Sequence, residues 1–406
     1  MKTIVFIGTN KSGSSREAIK AAEQLGYFTV VFTNREKQLE QRQQYPDIHE
    51  LVYIDIENIT EMRKEIKKLQ FQGKEILAIL SFVDSSVHTA STLSDEFCHN
   101  YASTEAIFKM ENKQETRLAL ENESYTPKFH ILSPGKTISI NEIPNLDFPV
   151  MVKSPKSTGS KDALLAENKK QLEKNLVKLQ EKYPKDLLII EEYIDGDQYL
   201  VEALIHNGKI HIAGVLEQEI TKGKRFIVTG YGVLAEVPDK LEKEINQVLQ
   251  SIVTRLNLHN GALHLEMRRS KNGWKLIEIN PRISGGAMNK MLQAAFGFNL
   301  VEETIKLYLG EEPYLHRKTN NFVFTQHLIV SNKGILEKVT GRNRATHSPG
   351  VVEVYVKPKK GTLLTPPLSM GHRYAYVIAK GNSMEEAKQL AKTAANEIKF
   401  HMVEEY

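Results

Sequence analysis

The stretch Lys275–Gly286, KLIEINPRISGG, reads as a strand that runs into a pair of glycines, with Glu278, Asn280 and Arg282 on alternate residues. Side chains alternate across a strand, so these three share one face, Ile277 and Ile279 share the other, and the place of Leu276 stays open. Extending upstream gives GALHLEMRRSKNGWKLIEINPR (261–282), with Asn272-Gly273 near its middle as a hairpin signal. A three-residue loop, Lys271 to Gly273, with Gly273 at positive φ, pairs Ser270 with Trp274. It sets Glu266 opposite Glu278 and His264 opposite Asn280, while Leu265, Met267, Ile277 and Ile279 collect on a core face. A two-residue loop would send the two glutamates to opposite faces, because a one-residue slip flips every side chain.

Two carboxylates directly across a sheet repel, and burying them is costly unless a cation neutralises them. The available ligands are all oxygens, from Glu266, Glu278 and the Asn280 amide. Hard oxygen donors without cysteine or a two-histidine set favour Mg²⁺ or Mn²⁺ over zinc. The other reading is an exposed, solvated hairpin. His264, on the same face, reads as a packed or hydrogen-bonding residue rather than a ligand.

A chain of 406 residues implies two or three structural units. The net formal charge is +4 and no long basic block is present, which argues against a nucleic-acid partner. Cys98, the single cysteine, cannot form an internal disulfide and has no base placed beside it, so it reads as a small core residue. The opening MKTIVFIGTN turns polar too soon for a signal peptide, and no apolar run approaches membrane-spanning length. A soluble cytoplasmic protein without a membrane partner is expected.

The first 95 residues alternate strands (TIVFIGTN, YFTVVFTN, HELVYIDI, ILAILSFVD) with helices, one beginning at Ser14 with Glu17 at capping-box spacing and stopping at Gly26. This pattern predicts a parallel, Rossmann-like α/β domain. Its first loop, GTNKSGSS, lacks dinucleotide spacing and reads as an ordinary strand-to-helix turn, although a helix start can hold an anion. A helical stretch from 103 to 123 leads to Thr126-Pro127. Beyond it, closely spaced strands with Asn207-Gly208 as a hairpin turn predict antiparallel pairing. After Gly310 comes another strand-rich piece, closed by a helix at Ser383. The expected units are 1–95, 96–200, 201–310 and 311–406, in a mixed α/β and α+β fold.

With these residues placed, the chain resembles the ATP-grasp superfamily of carboxylate–amine and carboxylate–thiol ligases, from the N-terminal domain to about Gly310. The resemblance implies an ATP-grasp fold with central grasp subdomains and a strand-rich C-terminal part, using ATP with Mg²⁺ (or Mn²⁺). In it, Lys113 of "NK" and Lys153 of "FPVMVKSP" match the two nucleotide-contacting lysines. SPKSTGSKD, containing Ser157, Thr158, Gly159 and Ser160, is similar to the loop that closes over the phosphates, with Ser160-Lys161 where many members have a second glycine. IIEEYIDGDQ resembles the adenine hinge: Glu191 would accept from the adenine amino group, Tyr193 and Ile194 would offer backbone groups, Glu192 lies nearby, and Gln198 takes the ribose position often held by Glu. Glu266, Glu278 and Asn280 match the metal ligands and Arg282 an arginine on the reacting phosphate. Gly285 and Gly286 would let backbone amides approach the acyl group.

Within the superfamily the likeness is greatest to bacterial L-amino-acid ligases, through GALHLEMR, EINPRISGG, RYAYVIAKGNSMEEA and QEITKGKRFIVTGYGVLAE. Related ligases often carry a Glu and a His three residues apart in the last segment. This chain has Val228 and Tyr231 there, which leaves the base that deprotonates the amine unassigned. Gly286 stands where some relatives have a bulky side chain that narrows the pocket. The resemblance implies ligation of two L-amino acids through an acyl phosphate, with small-molecule amino acids as partners and a homodimer as the usual assembly. A carboxylase or purine-pathway ligase shares the C-terminal pattern, and a non-catalytic nucleotide sensor could share the fold.

Overall fold

The computed structural model describes residues 1–135, 147–154, 162–222 and 226–403. Strands Lys2–Ile7, Phe28–Thr33, Glu50–Tyr53 and Glu75–Leu80 form a parallel sheet in which Lys2–Ile7 lies between the second and fourth. Helix Ser14–Gln24 follows the first strand, but the expected cap at Ser14 is not made. Gly13, at φ 83°, is the residue before the helix, and no side chain caps it. The Ser14 hydroxyl is drawn away, donating 2.8 Å to the Ser284 carbonyl. One face of the sheet (Val5, Ile7, Val30, Phe32) packs on Met62, Ile66 and Leu69 of helix Ile59–Phe71. From the other face Ile4, Phe6 and Val31 join a core that also holds Leu200, Leu204, Met291 and Leu292. Each such side chain withdrawn from water contributes roughly 1.5–3 kcal/mol, so this N-terminal unit and the middle of the chain share one core.

The stretch expected to be one helix past 103 is two, Thr104–Glu111 and Lys113–Ala119. The break is Asn112, whose side chain accepts from the Gln114 and Glu115 amides and caps the second. A four-stranded antiparallel sheet follows, in the order Phe129–Leu132, Leu188–Glu192, Val150–Lys153, Ala163–Ala166. Helix Lys169–Lys182 covers it with Leu172, Leu176 and Leu179, one apolar stripe at helical spacing.

The largest sheet has eight strands in the order 273–280, 261–270, 197–206, 209–222, 226–233, 322–328, 375–381, 351–356. Asn207 and Gly208 have φ of 49° and 77° and join two strands by the predicted two-residue turn. Helix Asp239–Leu256 seals one face through Leu241, Ile245, Leu249 and Ile252, while helix Met288–Phe296 lies on the other. A β-carbon at Gly214 would sit 2.4 Å from Leu292, so glycine there lets that helix approach. Three strands of this sheet come from beyond residue 310, and residue 200 lies inside a strand. Backbone hydrogen bonding therefore crosses both of those expected domain boundaries. The chain also continues past the C-terminal helix Met384–Glu397, capped by Ser383, into a strand, Lys399–Val403, that pairs with Gly334–Thr340.

The hairpin 261–280 corrects one expectation and keeps its consequence. Ser270 pairs with Gly273 and Arg269 with Trp274, so the loop is the two residues Lys271 and Asn272. The glutamates nevertheless face each other, because the register shifts between Glu266 and Met267 and leaves Ile277 as an extra residue. The bulge settles Leu276, which is buried on the core face with Leu265, Met267 and Ile279. Ile277 is half-buried, and its carbonyl accepts from Arg117 at 2.9 Å. No helix among the described residues is long and apolar enough to cross a membrane. Burial pushes the Cys98 thiol upward, and its Sγ donates to the Ser94 carbonyl and hydroxyl.

Candidate active site

Helix Lys113–Ala119 joins the four-stranded sheet to the hairpin. Its first residue, Lys113, lies 3.3 Å from Glu278 Oε1. One turn later Arg117 donates from Nε to Glu191 Oε1 at 2.6 Å and from Nη2 to the Ile277 and Leu276 carbonyls. The second Glu191 oxygen accepts from Lys153 Nζ, also at 2.6 Å. Lys153 and Glu191 are diagonal neighbours on adjacent strands, so they share a face. Burial alone would raise the Glu191 carboxyl, but Arg117 and Lys153 outweigh it and hold it at about 2.

Each Glu191 oxygen accepts from a cation, and the side chain holds Lys153 in place. Of the backbone groups expected on the hinge, the Tyr193 amide donates to the Pro149 carbonyl at 3.1 Å, and the Ile194 carbonyl accepts from Arg268. Glu192 accepts from the Lys128 amide and lies 3.4 Å from Lys275. Gln198, expected at a ribose, bridges Arg268 and Glu266, donating to Glu266 Oε2 at 3.0 Å.

Glu266 also lies 3.6 Å from His264 Nε2. Burial would raise its carboxyl, but His264, Lys153 and Arg282 prevail and lower it. On its other nitrogen His264 meets Glu202 Oε1 at 2.6 Å, and Glu202 Oε2 accepts from the Ser284 amide at 3.0 Å. Burial would discharge this imidazole, yet Glu202 and Glu266 raise it to about 10. Arg282 pairs with Asp84, in the short turn Asp84–Ser86 that follows the fourth N-terminal strand, and donates to the Ile283 carbonyl at 2.9 Å. A β-carbon on Gly285 or Gly286 would meet nothing within 4 Å, although Gly286 has φ +65°. A β-carbon on Gly13, in contrast, would fall 2.8 Å from the Gly286 amide nitrogen, so the first N-terminal loop presses on this turn.

Glu266, Arg282, Ser284, Gly285 and Gly286 line a cavity of about 180 Å³ with Gln218, Tyr231 and His327 from other strands of the large sheet and Arg373 from the segment before strand 375–381. Among the described residues no cluster of three or more His, Cys, Asp and Glu side chains is arranged to hold a metal. The expected set is smaller, two carboxylates and the Asn280 amide. Its chemistry fits Mg²⁺: the donors are oxygens only, Glu266 and Glu278 are directly opposed, and each is balanced by a cationic neighbour, His264 or Lys113. Ser157, Thr158, Gly159 and Ser160 lie outside the described residues.

Residues 146–290 match the ATP-grasp domain, and residues 326–403 match the L-amino acid ligase C-terminal domain 2. The chain carries an ATP-grasp domain. It is 20% identical over 369 residues to the L-arginine-specific L-amino acid ligase of Bacillus subtilis, across 88% of each chain. It is 26% identical over 211 residues to the uncharacterized protein y4rH of Sinorhizobium fredii, spanning 52% of this chain but only 43% of that one. The crystal structure of an L-amino acid ligase from Bacillus licheniformis superposes with a TM-score of 0.83 at 18% identity, covering 100% of this chain and 99% of that one, a likeness of fold.

The ATP-grasp match takes in Lys153, Glu191, Gln198, Glu266, Glu278, Asn280, Arg282 and the glycine pair, and the second match takes in His327 and Arg373. Lys113, Arg117 and Asp84 fall before both. Arg117, Asp84 and Glu202 were missed in the sequence, although each left a trace. Arg117 is four residues after Lys113, Asp84 closes the segment ILAILSFVD that leads off the carboxyl edge of a parallel sheet, where such sheets bind ligands, and Glu202 interrupts the apolar run YLVEALI.

Proposed function

We propose that this ATP-grasp protein joins two L-amino acids into a dipeptide through an aminoacyl phosphate, releasing ADP and phosphate. The observation that supports this reading is the gathering of Lys113, Lys153, Glu266, Glu278 and Arg282 beside the open wall at Gly285 and Gly286, since nucleotide binding alone does not call for the whole set. Lys153, fixed by Glu191, and Lys113 would meet the nucleotide phosphates, with the purine near residues 191–194. Glu266, Glu278 and Asn280 would hold Mg²⁺, which when bound offsets charge building on the transferring phosphoryl oxygens.

Arg282, oriented by Asp84, would meet the same oxygens as the first amino acid's carboxylate attacks the γ-phosphorus. The turn 284–286, anchored by Glu202 and Ser14, would present amides to the acyl oxygen. The second amine then attacks the acyl carbon and phosphate leaves. A bicarbonate-using carboxylase is the rival reading. Phosphate release from ATP, measured with single amino acids, pairs of them and bicarbonate, decides: a dipeptide by mass spectrometry with release only on adding amino acids supports the ligase, and release with bicarbonate alone rejects it.

A further inference from the structure

Residues following the first strand of the central sheet and residues preceding its seventh line one cavity. Arg373 reaches that cavity from just before strand Ala375–Gly381. Its contacts among the described residues are all neutral: Nε donates to the Met370 carbonyl at 3.2 Å, Nη1 to the Val228 carbonyl at 3.3 Å and to Tyr231 Oη at 3.1 Å, and the guanidinium lies 5.6 Å from the Tyr231 ring centre. Tyr231 thus orients the guanidinium without neutralising it. His327, beside it, is nearly fully buried, and burial with the Arg373 charge pushes its pKa well below the ordinary value. Among the described residues the one carboxylate on the cavity wall, Glu266, is already bonded to Gln198 and close to His264. The Gln218 side-chain oxygen, also on the wall, is buried and accepts no hydrogen bond from the described residues.

This wall offers a partly desolvated guanidinium and a buried acceptor, a match for a carboxylate and an amine on one small molecule. We propose that Arg373 binds the α-carboxylate of the second amino acid, the one whose amine attacks the acyl phosphate, while the Gln218 carboxamide accepts from that amine. The inference rests on the ligase reading and extends it. The first amino acid's carboxylate is consumed beside Arg282 and the glycine pair, whereas a guanidinium on the wall contributed by the C-terminal strands serves the carboxylate that survives into the dipeptide. Specificity for free amino acids over peptides amidated at the C-terminus would follow.

The test uses the full chain with ATP, Mg²⁺ and its fastest amino-acid pair, the second partner being supplied as the free acid and as its α-carboxamide. Wild type is expected to prefer the acid by a hundredfold or more in kcat/KM. Arg373→Gln should raise KM for the acid about 10–100-fold and move KM for the carboxamide less than about threefold, the scale of a charge-assisted contact. Arg373→Lys, which keeps the charge, should retain part of the preference even if the Gln variant folds poorly. Equal losses for acid and carboxamide in both variants, or a wild type indifferent to the two, would overturn the assignment. Failure of the ligase reading has its own signature: no hydroxamate forms when hydroxylamine is offered to wild type with any amino acid and ATP, and the assignment falls with it.

Discussion

Glu202 and His264 face each other across neighbouring strands, Oε1 to Nδ1 at 2.6 Å, and the second Glu202 oxygen accepts from the Ser284 amide. One fully buried carboxylate thus ties the strand that carries Glu266 to the turn that carries Gly285 and Gly286. Glu202→Gln keeps the shape but leaves the His264 charge with a weaker partner. A stability loss of roughly 3 kcal/mol is expected, as for breaking other buried pairs, with ATP turnover falling about 10–100-fold, as when ligand-supporting contacts are removed. Urea unfolding and steady-state rates check both, and unaltered turnover in a destabilised variant would show that the turn is held by other contacts.

The opposed glutamates predict a different balance. Glu278 is about one-third exposed and its pairing with Lys113 is near the surface, so Glu278→Gln should change stability by no more than about 1 kcal/mol. Amino-acid-dependent ATP turnover should nevertheless fall at least about 100-fold, as when one preorganised charge contact is lost. Raising Mg²⁺ should recover part of that activity if the lost group is a ligand. Full turnover in the variant would remove Glu278 from the metal set.

Glu191 carries a pH signature. Its carboxyl is depressed to about 2 by Arg117 and Lys153, so the stabilisation is fully present above the unfolded value near 4.5 and is lost as pH falls through about 2. Glu191→Gln should cost about 3–5 kcal/mol at pH 7 by leaving the buried Arg117 and the part-buried Lys153 without their shared carboxylate. The gap between wild type and variant should shrink steadily below about pH 4.5. A gap that stays constant from pH 7 to pH 3 would contradict the depressed carboxyl.

Pocket size is best probed at Gly285. Gly286 sits at φ +65°, where any added side chain strains the backbone, whereas Gly285 carries no such penalty and its β-carbon would enter open space. Gly285→Leu should lower kcat/KM for a large first amino acid such as Met relative to Ala by about tenfold or more, through overlap that a short side chain escapes. An unchanged Met to Ala ratio would place the side-chain pocket elsewhere.

Patterns confined to one element were legible in the sequence. The parallel opening, the Asn207-Gly208 turn and the face shared by Glu266 and Glu278 all follow from side-chain periodicity and turn chemistry. What was not legible depends on contacts between distant segments. The Ser14 cap was lost to a carbonyl 270 residues away, and the Glu191 carboxylate was claimed by Arg117 from another element. The hairpin loop was misjudged because alternation records only phase: a three-residue loop and a two-residue loop with a bulge leave the same face pattern, and only the burial of Leu276 in place of Ile277 distinguishes them.

The bulge at Ile277 also separates the tip of the hairpin from the chemistry. Phase is reset between the turn and the glutamates, at a carbonyl clamped by Arg117, while Lys271, Asn272 and Gly273 are exposed and a β-carbon on Gly273 would touch nothing. Exposed turn tips tolerate added length, so the tip is a permissive place to graft a short tag or epitope, insulated from the carboxylates six residues away. Removing the single residue Ile277 would regularise the ladder and keep Glu278 opposite Glu266, but it would take away the carbonyl that Arg117 clamps, so the hairpin is open to engineering at its tip and closed to it at its middle.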